Sequence, residues 1–212
     1  LASAPESGEE VRQAAKAALE DLDRKGKPEK KVLKEVGIFL RYEGGRTPAL
    51  AEVGLSNLDR AFDFEALPLF WLGEARDAES LPLIEKLYAG SRGDEAREGL
   101  LAAAGCHGTS SLVIPFLAGV LGGEGLDELR KDAAFWIGQQ NDAAGLRILA
   151  KAARADRSEE VREGAVFGIS QTELPTAVDE IIALARSADR PDVRKQAVFW
   201  LGQMASEKAG PS

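Results

Sequence analysis

The amino-acid sequence predicts an all-α fold, an α-solenoid of stacked antiparallel helix pairs wound into a right-handed superhelix. Three observations predict it. The 212 residues contain an internal repeat of 32–33 residues. Within each repeat, apolar residues recur three and four apart, the spacing of one helix face. No run alternates with period two for long enough to make a strand. A helix pair of this size cannot bury its apolar faces alone, so consecutive pairs must stack.

The related strings are LPLFWLGEARD, KDAAFWIGQQND, EGAVFGISQTE and KQAVFWLGQMA. Anchoring on the glycine after the aromatic string gives Gly73, Gly138 and Gly202, and the same slot holds Gly105 and Ser170. The spacings are 32, 33, 32 and 32 residues, and a further step of 32 reaches Arg41 in GIFLRYEGG, a degenerate member.

Taken from the N-terminus, residues 1–27 read as a capping helix and basic linker. The helix covers 9–24 with Val11, Ala15, Ala18, Leu19 and Leu22 inward, and KGKPEKK at 25–31 is a solvated linker or a contact for an acidic or phosphorylated partner. Residues 28–59 read as a degenerate first repeat, with one helix from Glu29 to Arg41 and a second over TPALAEVGL. Residues 60–212 hold the repeats proper. The first helix of each ends at the anchor, as with Val193, Ala197, Trp200 and Leu201 on one face. The second follows a polar turn, as with Val178, Ile181, Ile182 and Ala185. Asp77 and Asp142 stand where they would cap second helices, Ser158 and Asp189 where they would cap first ones. Pro68 falls inside a first helix and should kink or shorten it. The 34 alanines favour helix and let neighbouring axes approach closely.

The pattern of Val161-Arg162 and Val193-Arg194, then Ala197, then Leu201-Gly202 or Ile137-Gly138, then an acid such as Asp142, resembles bacterial HEAT repeats of the phycobilisome-lyase-like type. The resemblance covers 60–212 well and 28–59 weakly. It implies the solenoid fold and says little about activity, because such repeats serve many roles. Ser170 at the anchor and Ala102-Ala103-Ala104 in the aromatic string depart from the pattern.

Four rows of equivalent positions carry the functional reading. Arg97, Arg130, Arg162 and Arg194 stand near the start of each first helix, where each is expected to grip turn acids of an adjacent repeat, such as Asp77 and Asp142, together with turn carbonyls, or else to bind an anion. Two before the anchor stand Trp71, Trp136 and Trp200, separated by Ala103 and Gly168, an alternation that suits core stacking or else a set of partly exposed indoles that anchor a partner. Three before it stand Phe70, Phe135, Phe167 and Phe199, in a slot where the resemblance implies a charged residue. Their helical neighbours are polar, and Gln139, Gln171 and Gln203 run alongside. Either this flank is buried between successive first helices, or it is an exposed apolar ridge rimmed by amides that binds a partner.

Charge and composition exclude several classes. Residues 1–60 carry 11 acidic and 11 basic side chains, so the net charge of −8 lies entirely in 61–212. That balance disfavours nucleic acid. One cysteine, Cys106, allows no internal disulfide, and one histidine, His107, no His-rich metal cage. The two are adjacent and no third group orients the imidazole, so a catalytic pair is not expected. Gly44-Gly45 and Gly122-Gly123 are helix-end or loop glycines rather than phosphate loops. No apolar run reaches the roughly 20 residues of a membrane span. The sequence starts at Leu1 with no signal-peptide core, which suits a processed protein or a piece of a longer one. Cytoplasm and periplasm both fit.

The expected function is a non-enzymatic scaffold that binds a protein or peptide, as a monomer and without a cofactor. The alternatives are a chromophore-lyase-like or other enzyme accessory subunit, and a structural spacer of a larger protein.

Overall fold

The stacking that the repeat demands is met, among the described residues, by eight helices in chain order: α1 (Asp77–Gly90), α2 (Asp94–Gly105), α3 (Ser110–Leu121), α4 (Asp127–Gln139), α5 (Ala143–Ala155), α6 (Glu159–Ser170), α7 (Pro175–Ser187) and α8 (Pro191–Ala209). The computed structural model describes residues 36–57, 72 and 74–209. Helices α2, α4, α6 and α8 are first helices carrying the anchor slots Gly105, Gly138, Ser170 and Gly202. Helices α1, α3, α5 and α7 are the second helices. The described array is an α-solenoid of consecutively packed pairs. Among the described residues no helix is long and apolar enough to cross a membrane.

Side-chain size separates two layers. First helices pack along their length on small residues, with Ala96, Ala103, Ala133, Ala134, Ala165 and Ala197 fully buried. The α4 and α6 backbones nearly touch: a Cβ added at Gly138 would lie 2.2 Å from the Gly168 carbonyl oxygen, and one at Gly168 would lie 2.6 Å from that of Ala134. Second helices meet one another only at isolated points. Between the layers runs one core that includes Leu101, Leu117, Leu129, Leu149, Ile169 and Leu184. Unequal spacing bends such a stack, with the closer layer on the inside.

Residues 36–57 correct the sequence reading. Where a degenerate helical pair was expected over 28–59, an antiparallel hairpin joins β1 (Val36–Glu43) and β2 (Ala49–Asn57). Ile38, Leu40, Leu50, Val53 and Leu55 lie on the core side, which is true period-2 patterning. Phe39 on the opposite face fills the gap in that pattern, and Ile38-Phe39-Leu40 then looks like a continuous apolar run. Gly44, at φ 114°, adopts a turn conformation closed to most side chains, so these glycines turn a hairpin rather than end a helix. Arg41 donates to Glu52 at 2.7 Å across the strands, and Ala51 is the extra residue of a bulge beside Arg41 and Tyr42.

The hairpin ends the described first-helix layer. Val53 packs on Gly99 of α2 so closely that a Cβ there would lie 2.6 Å from it. The equivalent residue of α6, Gly164, lies against Lys131 of α4. A strand therefore takes on α2 the face that a preceding first helix takes on α6.

The caps are mixed. Asp142 accepts from the Ala144 and Gly145 amides at 2.7 and 3.3 Å, and Ser158 from the Val161 amide at 3.4 Å. Asp77 differs from expectation. It accepts from the Thr109 amide of the next turn at 2.8 Å, while Glu79 reaches back to the Arg76 amide that starts α1. Asp189 lends its backbone carbonyl to Arg194. The helix expected over 9–24, the 25–31 linker, Pro68 and Gly73 lie outside the described residues.

Candidate functional site

The arginine row shows how the first helices are tied together: carboxylates and turn carbonyls are the partners, but the acids are not Asp77 and Asp142. Arg130, only 2% exposed, pairs with Asp156 before α6 and with Asp127 at 3.0 Å, and donates to the Leu121 carbonyl at 2.9 Å. Arg162 donates to Asp192 at the start of α8 at 2.7 Å and to the Asp156 and Arg157 carbonyls. Arg194 donates to the Ala188 and Asp189 carbonyls at 2.6 and 3.2 Å. None of them reaches Asp77 or Asp142. The reason is axial distance: the arginines begin the first helices, those acids follow their C-terminal ends, and twelve residues of helix span about 18 Å. Among the described residues Arg97 has neither kind of partner. Its guanidinium lies 5.7 Å from the centre of the Tyr88 ring, and its Nε is buried without an acceptor.

The far ends of the first helices are tied by turn side chains that the sequence reading missed. Gln140 donates to the Gly105 carbonyl at 2.9 Å, Asn141 accepts from the Glu173 amide at 2.6 Å, and Thr172 donates to the Gly138 carbonyl at 3.4 Å. Ser110 donates to Asp142 at 3.4 Å. Their sequence signal is a polar pair two and three residues past successive anchors, Gln140-Asn141 and Thr172-Glu173, spaced by the repeat. Asn141 also takes φ 52°, a conformation that asparagine tolerates.

The aromatic rows converge. Phe135 and Phe167 stack with centroids 5.8 Å apart and 15° between planes, and Phe167 lies 4.8 Å from Trp200. Trp136 meets Phe135 edge-on at 5.0 Å, and Phe199 meets Trp200 likewise at 5.2 Å. The five rings form one file across α4, α6 and α8. Trp136 and Trp200 have their inner edges against the core. Trp136 lies over Gly105 of the preceding repeat, where a Cβ would sit 2.1 Å from the indole. The Trp200 indole N–H is buried with no acceptor. Phe135 and Phe167 are half-buried, and Phe199 is 50% exposed. Gln139 and Gln171 are half-buried and Gln203 is exposed. Phe70 and Trp71 lie outside the described residues.

Acidic groups crowd the N-terminal side of this file. Burial pushes the Asp132 carboxyl up, and the charges of Glu98 and Glu128 push it further. Lys131 donates to Glu128 at 2.9 Å and lies 4.0 Å from Glu160, which holds its ammonium charged. Cys106 and His107 do not converge. His107 is buried with Nδ1 2.8 Å from the Ala103 carbonyl oxygen and Nε2 2.7 Å from Ser80 Oγ. Desolvation raises the Cys106 thiol, the opposite of activation.

Residues 146–212 match the family model of HEAT repeats, a span that begins in α5 and takes in α6, α7 and α8. The described helices form a HEAT-like α-solenoid. HEAT repeats commonly serve as protein-interaction scaffolds. No curated protein matches the chain.

Proposed function

We propose that the chain is a non-enzymatic scaffold that binds another protein or a peptide along the first-helix side of its solenoid. Phe135, Phe167 and Phe199 are the apolar contacts, flanked by Gln139, Gln171 and Gln203, with Trp136 and Trp200 as supporting core. Phe70 joins the row by its repeat position. The repeat type in this reading is the phycobilisome-lyase-like one, which rests on the Val-Arg and Leu-Gly motifs quoted above.

The observation that carries the reading is the ring file and its open end. Phe199 is 50% exposed and Val198 beside it 37% exposed, on a helix whose Val193, Ala197 and Leu201 are buried in the core. Aromatic side chains bury large area at little entropic cost when held in place beforehand, and stacking on α6 and α8 holds these. The amides alongside offer donors and acceptors without the desolvation penalty of charges.

The test is affinity capture from lysate with the native chain and with Phe135→Ser/Phe167→Ser/Phe199→Ser, with circular dichroism to confirm folding. A protein captured by the native chain and lost by the folded variant supports the reading. Capture that survives the variant places binding elsewhere and overturns it.

A further inference from the structure

The second-helix side carries a different surface. Between α5 and α7 a groove of about 710 Å³ opens where the two helices fail to touch along their length. Its floor is apolar, with Leu146 and Ala150 buried. Its α5 wall carries Arg147, Lys151 and Arg154, spaced by four and three residues on one helix face. Arg154 is committed in part: it donates to the Ala150 carbonyl at 3.0 Å and pairs with Glu180 of α7 at 2.5 Å. Arg147 and Lys151 are exposed, and among the described residues neither has an ion-pair partner.

This stripe stands out in an acidic chain. Helix α5 has three cations and no acid, α3 has no charge, and α1 and α7 have one cation each, Lys86 and Arg186. Among the described residues Glu180 is the only carboxylate lining the groove, which gives the lining a net charge of +2 in a chain of net −8.

We propose that the α5–α7 groove binds an acidic amphipathic helix of a partner protein. The three cations rise along α5 by about 6 Å and then about 4.5 Å. Carboxylates at i, i+4 and i+7 of a helix laid alongside repeat those intervals, so each meets a cation without distortion. The apolar residues between them enter over Leu146 and Ala150, which is the helix-in-groove mode of recognition. A phosphodiester strand matches the charge but leaves that floor unused, and the chain's excess acid repels it. This surface lies on the layer opposite the phenylalanine file and shares no residue with it.

The probe is a fluorescein-labelled peptide of about 18 residues, long enough to stay helical, with Leu at i, i+3 and i+7 and Glu at i+4, i+8 and i+11. Controls are the same peptide with Lys for each Glu, and a single-stranded oligonucleotide. Fluorescence anisotropy should show binding of the acidic peptide that falls with salt. Arg147→Glu/Lys151→Glu should weaken it by about tenfold or more, whereas Phe199→Ser should leave it unchanged. Both altered residues are exposed, and circular dichroism checks that the variant folds. Equal binding of the Lys peptide overturns the proposal, as does indifference to the charge reversal. So does no binding of the acidic peptide up to about 1 mM. Oligonucleotide binding that alone responds to the reversal also overturns it, by making the groove a phosphate site.

Discussion

In the C-terminal repeats Arg130 and Arg162 each reach a carboxylate of the following repeat, whereas Arg97, at the same repeat position, lies over Tyr88 with its Nε unpartnered. The two regions differ in their second helices too. α1 and α3 each carry a proline as their sixth residue, Pro82 and Pro115, which removes a backbone donor in the helix interior. α5 and α7 carry none beyond the first turn, and α5 has a side-chain cap in Asp142. The first helix on the N-terminal side rests on a hairpin, those on the C-terminal side on one another. The template thus fixes where an arginine stands, while a different residue decides whether it is satisfied. Six positions before Arg162 stands Asp156, which reaches Arg130. Six before Arg130 stands Glu124, in a glycine-rich loop, 88% exposed and turned to Arg157. In a quasi-one-dimensional array each such interface adds its own increment, so opening should start on the N-terminal side.

The widest gap is expected between Arg130→Met and Arg97→Met. The first leaves Asp156, only 10% exposed, without its cation and should cost about 3–5 kcal/mol. The second removes an unsatisfied donor and should change stability by under about 1 kcal/mol. Urea unfolding of both variants measures the difference, and equal losses would erase the contrast. Next in size is Gly138→Ala against Gly202→Ala. The added methyl at 138 meets the α6 backbone and should cost about 1–3 kcal/mol, while at 202 it meets nothing and should stabilise by up to about 1 kcal/mol. Pro115→Ala should stabilise by about 1 kcal/mol by restoring an exposed helix bond, and native-state hydrogen exchange should place the gain in α3.

The smallest effects concern acid, and their signs oppose each other. Burial alone would raise Asp192, but the Arg162 hydrogen bond and charge outweigh it and hold the carboxyl below its ordinary value. Its contribution is therefore present above the ordinary carboxylate range and lost as pH falls through the lowered value. Asp132 is raised, so its ionised form costs stability near neutrality, and that cost disappears as pH falls through the raised value. Asp132→Asn should then stabilise at neutral pH and be neutral in mild acid, at about pH 4. Asp192→Asn should destabilise at both. Urea midpoints at the two pH values check this, and a parallel response would show that the two sites are not distinct.

The helices of the repeats were legible because each is specified locally. Asp142 and Ser158 cap amides two or three residues away, and a repeated 3.6-residue pattern marks each apolar face. The hairpin was not legible, because Phe39 masks the alternation of Ile38 and Leu40, and Gly44-Gly45 suits a helix end as well as a turn. The arginine partners were not legible either. Rows of equivalent residues give position around a helix, but pairing depends on height along it, and Asp142 stands at the wrong end. Of the candidate surface, the rows themselves could be read from spacing. Their merging into one file of rings depends on axial spacing set by Gly138 and Gly168, which periodicity does not encode.

That glycine contact also has a mechanical meaning. Where Gly138 meets Gly168, carbonyl against Cα, no compressible side chain lies between the helices, so the contact is a fulcrum. The α5–α7 groove is the open jaw on the far side, and the Phe135–Phe167 stack is carried by the same two rigid arms. A wedge that spreads the jaw must turn the arms about this point and tilt one ring against the other. Load on one side of the array is thus transmitted to the other as rotation, with the two missing methyl groups setting the pivot.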